Sequence, residues 1–101
     1  MIATRTTPDA DEQIVRADAW WRENRPAAVD LFATEFETAV RLIELLPDGG
    51  VPYRASPRPG VRRLLMRRTR FHVYYVREET DAVVILAVWS AVRGPGPPIA
   101  P

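Results

Sequence analysis

Apolar residues recur at helical spacing in the first half of this chain and lose that spacing in the second, and this change of period restricts the fold more than any other feature. Ala10, Ile14, Ala17 and Trp21 lie on one helical stripe, and Ala28, Phe32, Phe36, Ala39, Ile43 and Leu46 form another. From Val61 onward Val, Ile, Leu and aromatic residues come in short runs between turn-like segments, the pattern of strands. Helices followed by strands, rather than alternating with them, imply an α+β domain with a helical hairpin packed on an antiparallel sheet.

The boundaries follow from local chemistry. Thr7-Pro8-Asp9 supplies a capping hydroxyl, a proline at the first helical position and an acid near the positive end of the helix dipole. The first helix should therefore run from Pro8 to about Asn24. Pro26 disfavours helical geometry at Arg25 and suits the first turn of a second helix, which should end near Leu46, before Pro47-Asp48-Gly49-Gly50. Val51 to Gly60 holds three prolines and reads as a loop. Val61–Arg68, Phe71–Arg77 and Ala82–Ala91 read as three strands, and Ile2–Thr6 as a short fourth. Residues 1–94 then make one domain, and residues 95–101 a tail rich in Pro and Gly that can form neither helix nor central strand.

Composition excludes several chemistries. With no cysteine there is no disulfide, thiolate ligand or thiol nucleophile, and a single histidine, His72, cannot build a multi-histidine metal site. No cofactor is expected. No apolar run approaches the ~20 residues of a membrane span, and residues 1–8 lack a signal-peptide segment, so the expected location is the cytoplasm. Net charge is +1, yet Asp9 to Glu44 holds nine acids and four arginines, and Leu45 onward four acids and nine arginines. All fourteen basic residues are arginine and seven lie between Arg54 and Arg70, which fits either a surface for nucleic acid or acidic protein, or a solvated strand face.

Strand alternation gives the faces of the sheet. A two-residue Thr69-Arg70 turn would pair Arg67 with His72, Met66 with Val73 and Leu65 with Tyr74; a four-residue Glu78–Asp81 loop would pair Tyr75 with Val84 and Tyr74 with Ile85. Leu64, Met66, Phe71, Val73, Tyr75, Val84, Leu86 and Val88 then face the helices. Arg63, Leu65, Arg67, His72, Tyr74, Val76, Val83, Ile85, Ala87 and Trp89 face outward, too apolar a set for open water. Either a partner covers this face, or the tail or the Val51–Gly60 loop folds back over it.

The order strand, helix, helix, three strands, together with Trp21-Arg22-Glu23-Asn24-Arg25-Pro26, Tyr53-Arg54, Gly60-Val61-Arg62-Arg63, Arg68-Thr69-Arg70-Phe71-His72-Val73-Tyr74-Tyr75 and Val88-Trp89-Ser90, resembles the RelE/ParE toxins of bacterial toxin-antitoxin systems. That resemblance implies a toxin neutralised by an antitoxin whose extended segment wraps it. It implies one of two targets, DNA gyrase in the ParE branch or messenger RNA on the ribosome in the RelE branch. RelE-type cleavage relies on basic residues and a tyrosine near the C-terminus. Here Arg63 matches one basic position, Leu65 stands at a second, His72 replaces a strand arginine, Arg93 roughly matches another, and no tyrosine follows Tyr75. These departures favour the ParE branch, for which no catalytic residue is implied.

The candidate residues divide accordingly. An endonuclease would use His72 as base or acid, with Arg63, Arg67 and Arg93 holding phosphate. Antitoxin or target contacts are expected at Leu65, Tyr74, Ile85 and Trp89, and at Arg62, Arg68 and Arg70 around the first hairpin.

Overall fold

The computed structural model describes residues 2–79, 81–92 and 94–101. In chain order the elements are β1 (Ala3–Thr6), α1 (Pro8–Asn24), a single 3-10 turn (Pro26–Ala28), α2 (Leu31–Leu45), β2 (Val51–Pro52), β3 (Arg62–Met66), β4 (Phe71–Glu79) and β5 (Ala82–Ser90). The five strands form one sheet in the order β1-β5-β4-β3-β2.

The start of α1 is as the sequence indicates. The Thr7 hydroxyl accepts the Ala10 backbone N–H at 3.1 Å, and Pro8 opens the first turn. The second helix starts later than Pro26. After the 3-10 turn the chain passes through Val29 and Asp30, and Asp30 offers no capping bond to α2 because its carboxylate turns back to Arg22, at 3.4 Å. On α2, Phe32, Ala39 and Ile43 are buried, whereas Leu46 has left the helix and is exposed.

The sheet is mixed and not wholly antiparallel. β1 runs parallel to β5, with Ala3 opposite Ala82 and Thr6 opposite Ile85, while the other pairs are antiparallel. The segment read as a loop also contributes a two-residue edge strand, Val51 opposite Arg63 and Pro52 opposite Arg62. Gly50, just before it, is buried because its N–H donates to the Tyr75 hydroxyl at 2.9 Å and its carbonyl accepts from Arg62 at 2.8 Å. A β-carbon there would collide with the Tyr75 ring, so only glycine fits.

Both expected registers shift. β3 and β4 pair Met66 with Phe71, Leu65 with His72 and Arg63 with Tyr74, so the turn is Arg67–Arg70 and not Thr69-Arg70 alone. Arg70 takes a positive φ of 64°, and its N–H donates to the Met66 carbonyl at 2.8 Å. The turn is further fixed by Glu35 of α2, whose carboxylate accepts the backbone N–H of Arg68, the backbone N–H of Thr69 and the Thr69 hydroxyl at 2.8, 2.9 and 2.6 Å. The slip is of two residues, which keeps every side chain of β3 and β4 on its expected face.

β5 behaves differently. Its partner changes from Tyr74 opposite Ala87 to Tyr75 opposite Ile85, a bulge that places Leu86 and Ala87 on the same side of the sheet. The bulge exchanges the expected faces of four residues. Val83 and Ile85 point to the helices with Val73, Tyr75 and Val88, while Val84 and Leu86 point outward with Tyr74, Val76 and Ala87. Its backbone groups are satisfied from α1 and its cap: the Gln13 side chain accepts the Val88 N–H at 2.8 Å, and the Thr7 N–H donates to the Ile85 carbonyl at 3.1 Å. The helix-side core is thus Ala10, Ala17, Trp21, Phe32, Ala39 and Ile43 against Met66, Val73, Tyr75, Val83, Ile85 and Val88.

Candidate functional site

The outer face of the sheet carries most of the residues singled out above. Cross-strand pairing sets Leu65, His72 and Trp89 in one row and Arg63, Tyr74 and Ala87 in the next. Within this patch the rings of His72 and Tyr74 are 5.8 Å apart, and the Arg63 guanidinium reaches the Tyr74 hydroxyl at 3.5 Å. Tyr53, from the segment expected to be a loop, completes the group. Its ring meets Tyr74 edge-on at 4.8 Å and lies 5.2 Å from the Arg63 guanidinium, a cation–π arrangement. Tyr53 is held there by the edge pairing, through its N–H to the Val61 carbonyl at 2.8 Å. Nothing local in Val51–Gly60 announces that pairing.

Burial lowers the His72 pKa, and the positive charge of Arg63 lowers it further, so the imidazole is neutral at pH 7. A neutral imidazole can accept a proton but has none in excess to give. Arg67 stands in the turn and is not the cross-strand partner of His72, which is paired with Leu65 and Trp89. Arg93 lies outside the described residues. Among the described residues no group of three His, Cys, Asp or Glu side chains is placed to hold a metal.

The expected contact residues are only partly brought together. Leu65, at 37% exposure, and the half-buried Trp89 flank His72 and are accessible. Tyr74 is 2% exposed, because the outer face is not open: Tyr53 from the loop and Ile99 from the tail pack onto it with Val61, Val76, Val84 and Leu86. Of the two coverings expected for this face, the structure shows the second, with the tail and the loop segment folded back over it. Ile85 is fully buried on the helix side, removed from the outer face by the bulge. Arg62 is tied to the Gly50 carbonyl rather than presented outward.

Arg67, Arg68 and Arg70 are exposed in the turn that Glu35 pins. Among the described residues none of these guanidiniums, nor that of Arg63, is in an ion pair, whereas Arg5, Arg16, Arg22, Arg58 and Arg77 all have acidic partners. The turn thus gathers three arginines beside the Glu35 carboxylate, which accepts from its backbone and interacts with the Arg68 charge. A second accessible feature was not legible beforehand. Leu42, Leu45 and Leu46 at the end of α2 and Val51 in β2 are all exposed, Leu45 by 75%. In periodicity Leu46 looked like a core residue; the helix ends one residue too soon for that.

No described helix is long and apolar enough to cross a membrane. A comparison with curated protein sequences gives no match. Among solved structures, one described as "Chromosomal ParDE TA system from P. aeruginosa" is similar in fold, with a TM-score of 0.68 and 19% identity over 89% of this chain and 96% of that one. The family described as the ParE toxin of the type II toxin-antitoxin system parDE matches residues 5–94, from β1 through the whole sheet. The chain therefore belongs to the ParE toxin family.

Proposed function

We propose that this protein is the toxin half of a toxin-antitoxin pair, that it inhibits DNA gyrase by binding rather than by a chemical step, and that a cognate antitoxin holds it inactive in the cytoplasm. The observation that carries this reading is membership of the ParE toxin family across nearly the whole fold. The surface agrees with action by docking. A binding inhibitor needs a preorganised feature to present, and the pinned turn with Arg67, Arg68 and Arg70 is one, complementary to an acidic or nucleoprotein target. The exposed leucines at the end of α2 and the row formed by Leu65 and Trp89 are apolar surface for an antitoxin to cover.

One observation favours a second reading. His72 is held neutral beside Arg63 and Tyr74, an arrangement able to take a proton from a 2′-hydroxyl next to a cation that steadies phosphate. Ribosome-dependent cleavage of messenger RNA would use those groups with Arg67 and Arg93.

Induced expression without antitoxin in a bacterial host, with DNA and protein synthesis pulse-labelled together, separates the two. Gyrase inhibition stops DNA synthesis first and induces the DNA-damage response. Earlier arrest of protein synthesis, abolished by His72→Ala with Arg67→Ala, would replace the gyrase reading with the endonuclease one; no effect on either leaves a protein that only binds.

A further inference from the structure

Residues 94–101 run across the outer face and fill an aromatic groove. The Trp89 indole N–H donates to the Pro95 carbonyl at 3.2 Å. Gly96 packs so closely on Tyr53 that a β-carbon would collide with the tyrosine hydroxyl. Pro97 is buried, and Ile99 joins the cluster of Tyr74, Val76 and Leu86. Pro101 ends beside Pro59 and Val76. Four prolines fix φ near −65° and remove backbone donors, so the segment is extended and makes no ladder with the sheet.

An indole N–H aimed at a peptide carbonyl, an aromatic ring close against the backbone, and an apolar seat for an aliphatic residue further along are features of grooves that recognise proline-rich extended peptides. We propose that the groove of Tyr53, Tyr74 and Trp89 is a binding site for an extended, proline-bearing segment of a partner protein, occupied in the free chain by residues 94–101. The seated tail defines the chemistry of the occupant: a carbonyl for the indole, a glycine at Tyr53, a proline after it and a branched aliphatic two residues beyond that. It is also suited to leave. Among the described residues its side-chain-to-backbone anchor is the neutral hydrogen bond from Trp89, and Gly94 has open space around it. A partner segment enters by displacing the tail, whose tethering gives it an effective concentration in the ~mM range. This inference concerns a different surface from the arginine turn and holds whether the target is gyrase or the ribosome.

The test uses the full chain and a fluorescein-labelled peptide of residues 94–101, followed by anisotropy. In Gly96→Ala the tethered tail collides with Tyr53 and is expelled, while the free peptide keeps its glycine. The variant should bind the peptide at least ~10-fold more tightly than the natural chain, whose tail competes at that effective concentration. Adding Trp89→Phe should reverse the gain. Ile99→Asp, which releases the tail through a different contact, serves should Gly96→Ala lose its native circular dichroism. Natively folded, tail-released chains that bind no more peptide than the natural chain would overturn the proposal. A concentration-dependent dimer formed by exchange of tails would also overturn it, since a second copy would then be the occupant.

Discussion

His72 shows how a residue legible in type can be illegible in state. A lone histidine among arginines reads as a candidate base or acid, and its ordinary pKa allows both. The fold decides between them by placing Arg63 one row away and burying part of the ring. Its titration by NMR should give a midpoint below the ordinary value of 6.5, and Arg63→Ala should move that midpoint upward by removing the repulsion. A midpoint at or above that value in the natural chain would mean that the imidazole is solvated and Arg63 turned away. Tyr53 is the converse case. Its partners Arg63 and Tyr74 are candidate site residues from sequence, whereas Tyr53 enters only in the family-like motif Tyr53-Arg54, because its place depends on a two-residue edge strand that no propensity marks.

Elements were legible where polarity alternates and illegible where it does not. Capping at Thr7, the two helical stripes and the three main strands follow from residue chemistry alone. In β5, Val83 to Val88 is apolar without interruption, so nothing in its sequence distinguishes an in-register strand from one with a bulge. The information lies instead in α1, where Gln13 sits among residues facing the sheet and bonds the Val88 N–H. The turn between β3 and β4 departs from its expected length for a similar reason: its pin, Glu35, belongs to α2. Burial raises the Glu35 pKa, but the hydrogen bonds from Thr69 and Arg68 and the Arg68 charge outweigh it, leaving the carboxyl below its ordinary value. A depressed carboxylate stabilises the fold above its unfolded pKa and loses that contribution as pH falls through its folded one. The urea midpoint of the natural chain should therefore exceed that of Glu35→Gln at pH 7, by ~1–3 kcal/mol in stability, with the gap closing below pH ~4. A gap independent of pH would detach Glu35 from the turn.

At the scale of the molecule, one sheet separates two apolar clusters of unequal weight. The larger, under the helices, includes Phe32, which is fully buried and meets Phe71 edge-on at 5.3 Å. Phe32→Ala should cost ~3–5 kcal/mol, a large part of the ~5–15 kcal/mol typical of a domain, and a midpoint shift in urea smaller than half of that would show that α2 can repack. The smaller cluster depends on the chain's own tail, so the outer face has a removable cover where the inner face has helices. Charge is arranged on the same plan. Nine of the thirteen acids lie between Asp9 and Glu44, while Arg67, Arg68 and Arg70 stand exposed in the turn between β3 and β4, so a net charge of +1 conceals an uneven distribution along the chain. The parallel placement of β1 sets the order in which this molecule can come into being. Ala3 has no strand to join until Ala82 has been synthesised, and closing so long a stretch of chain is the slowest kind of contact to make. The first strand leaves the ribosome long before its neighbour exists, so this edge of the sheet stays unsealed until β5 has been made.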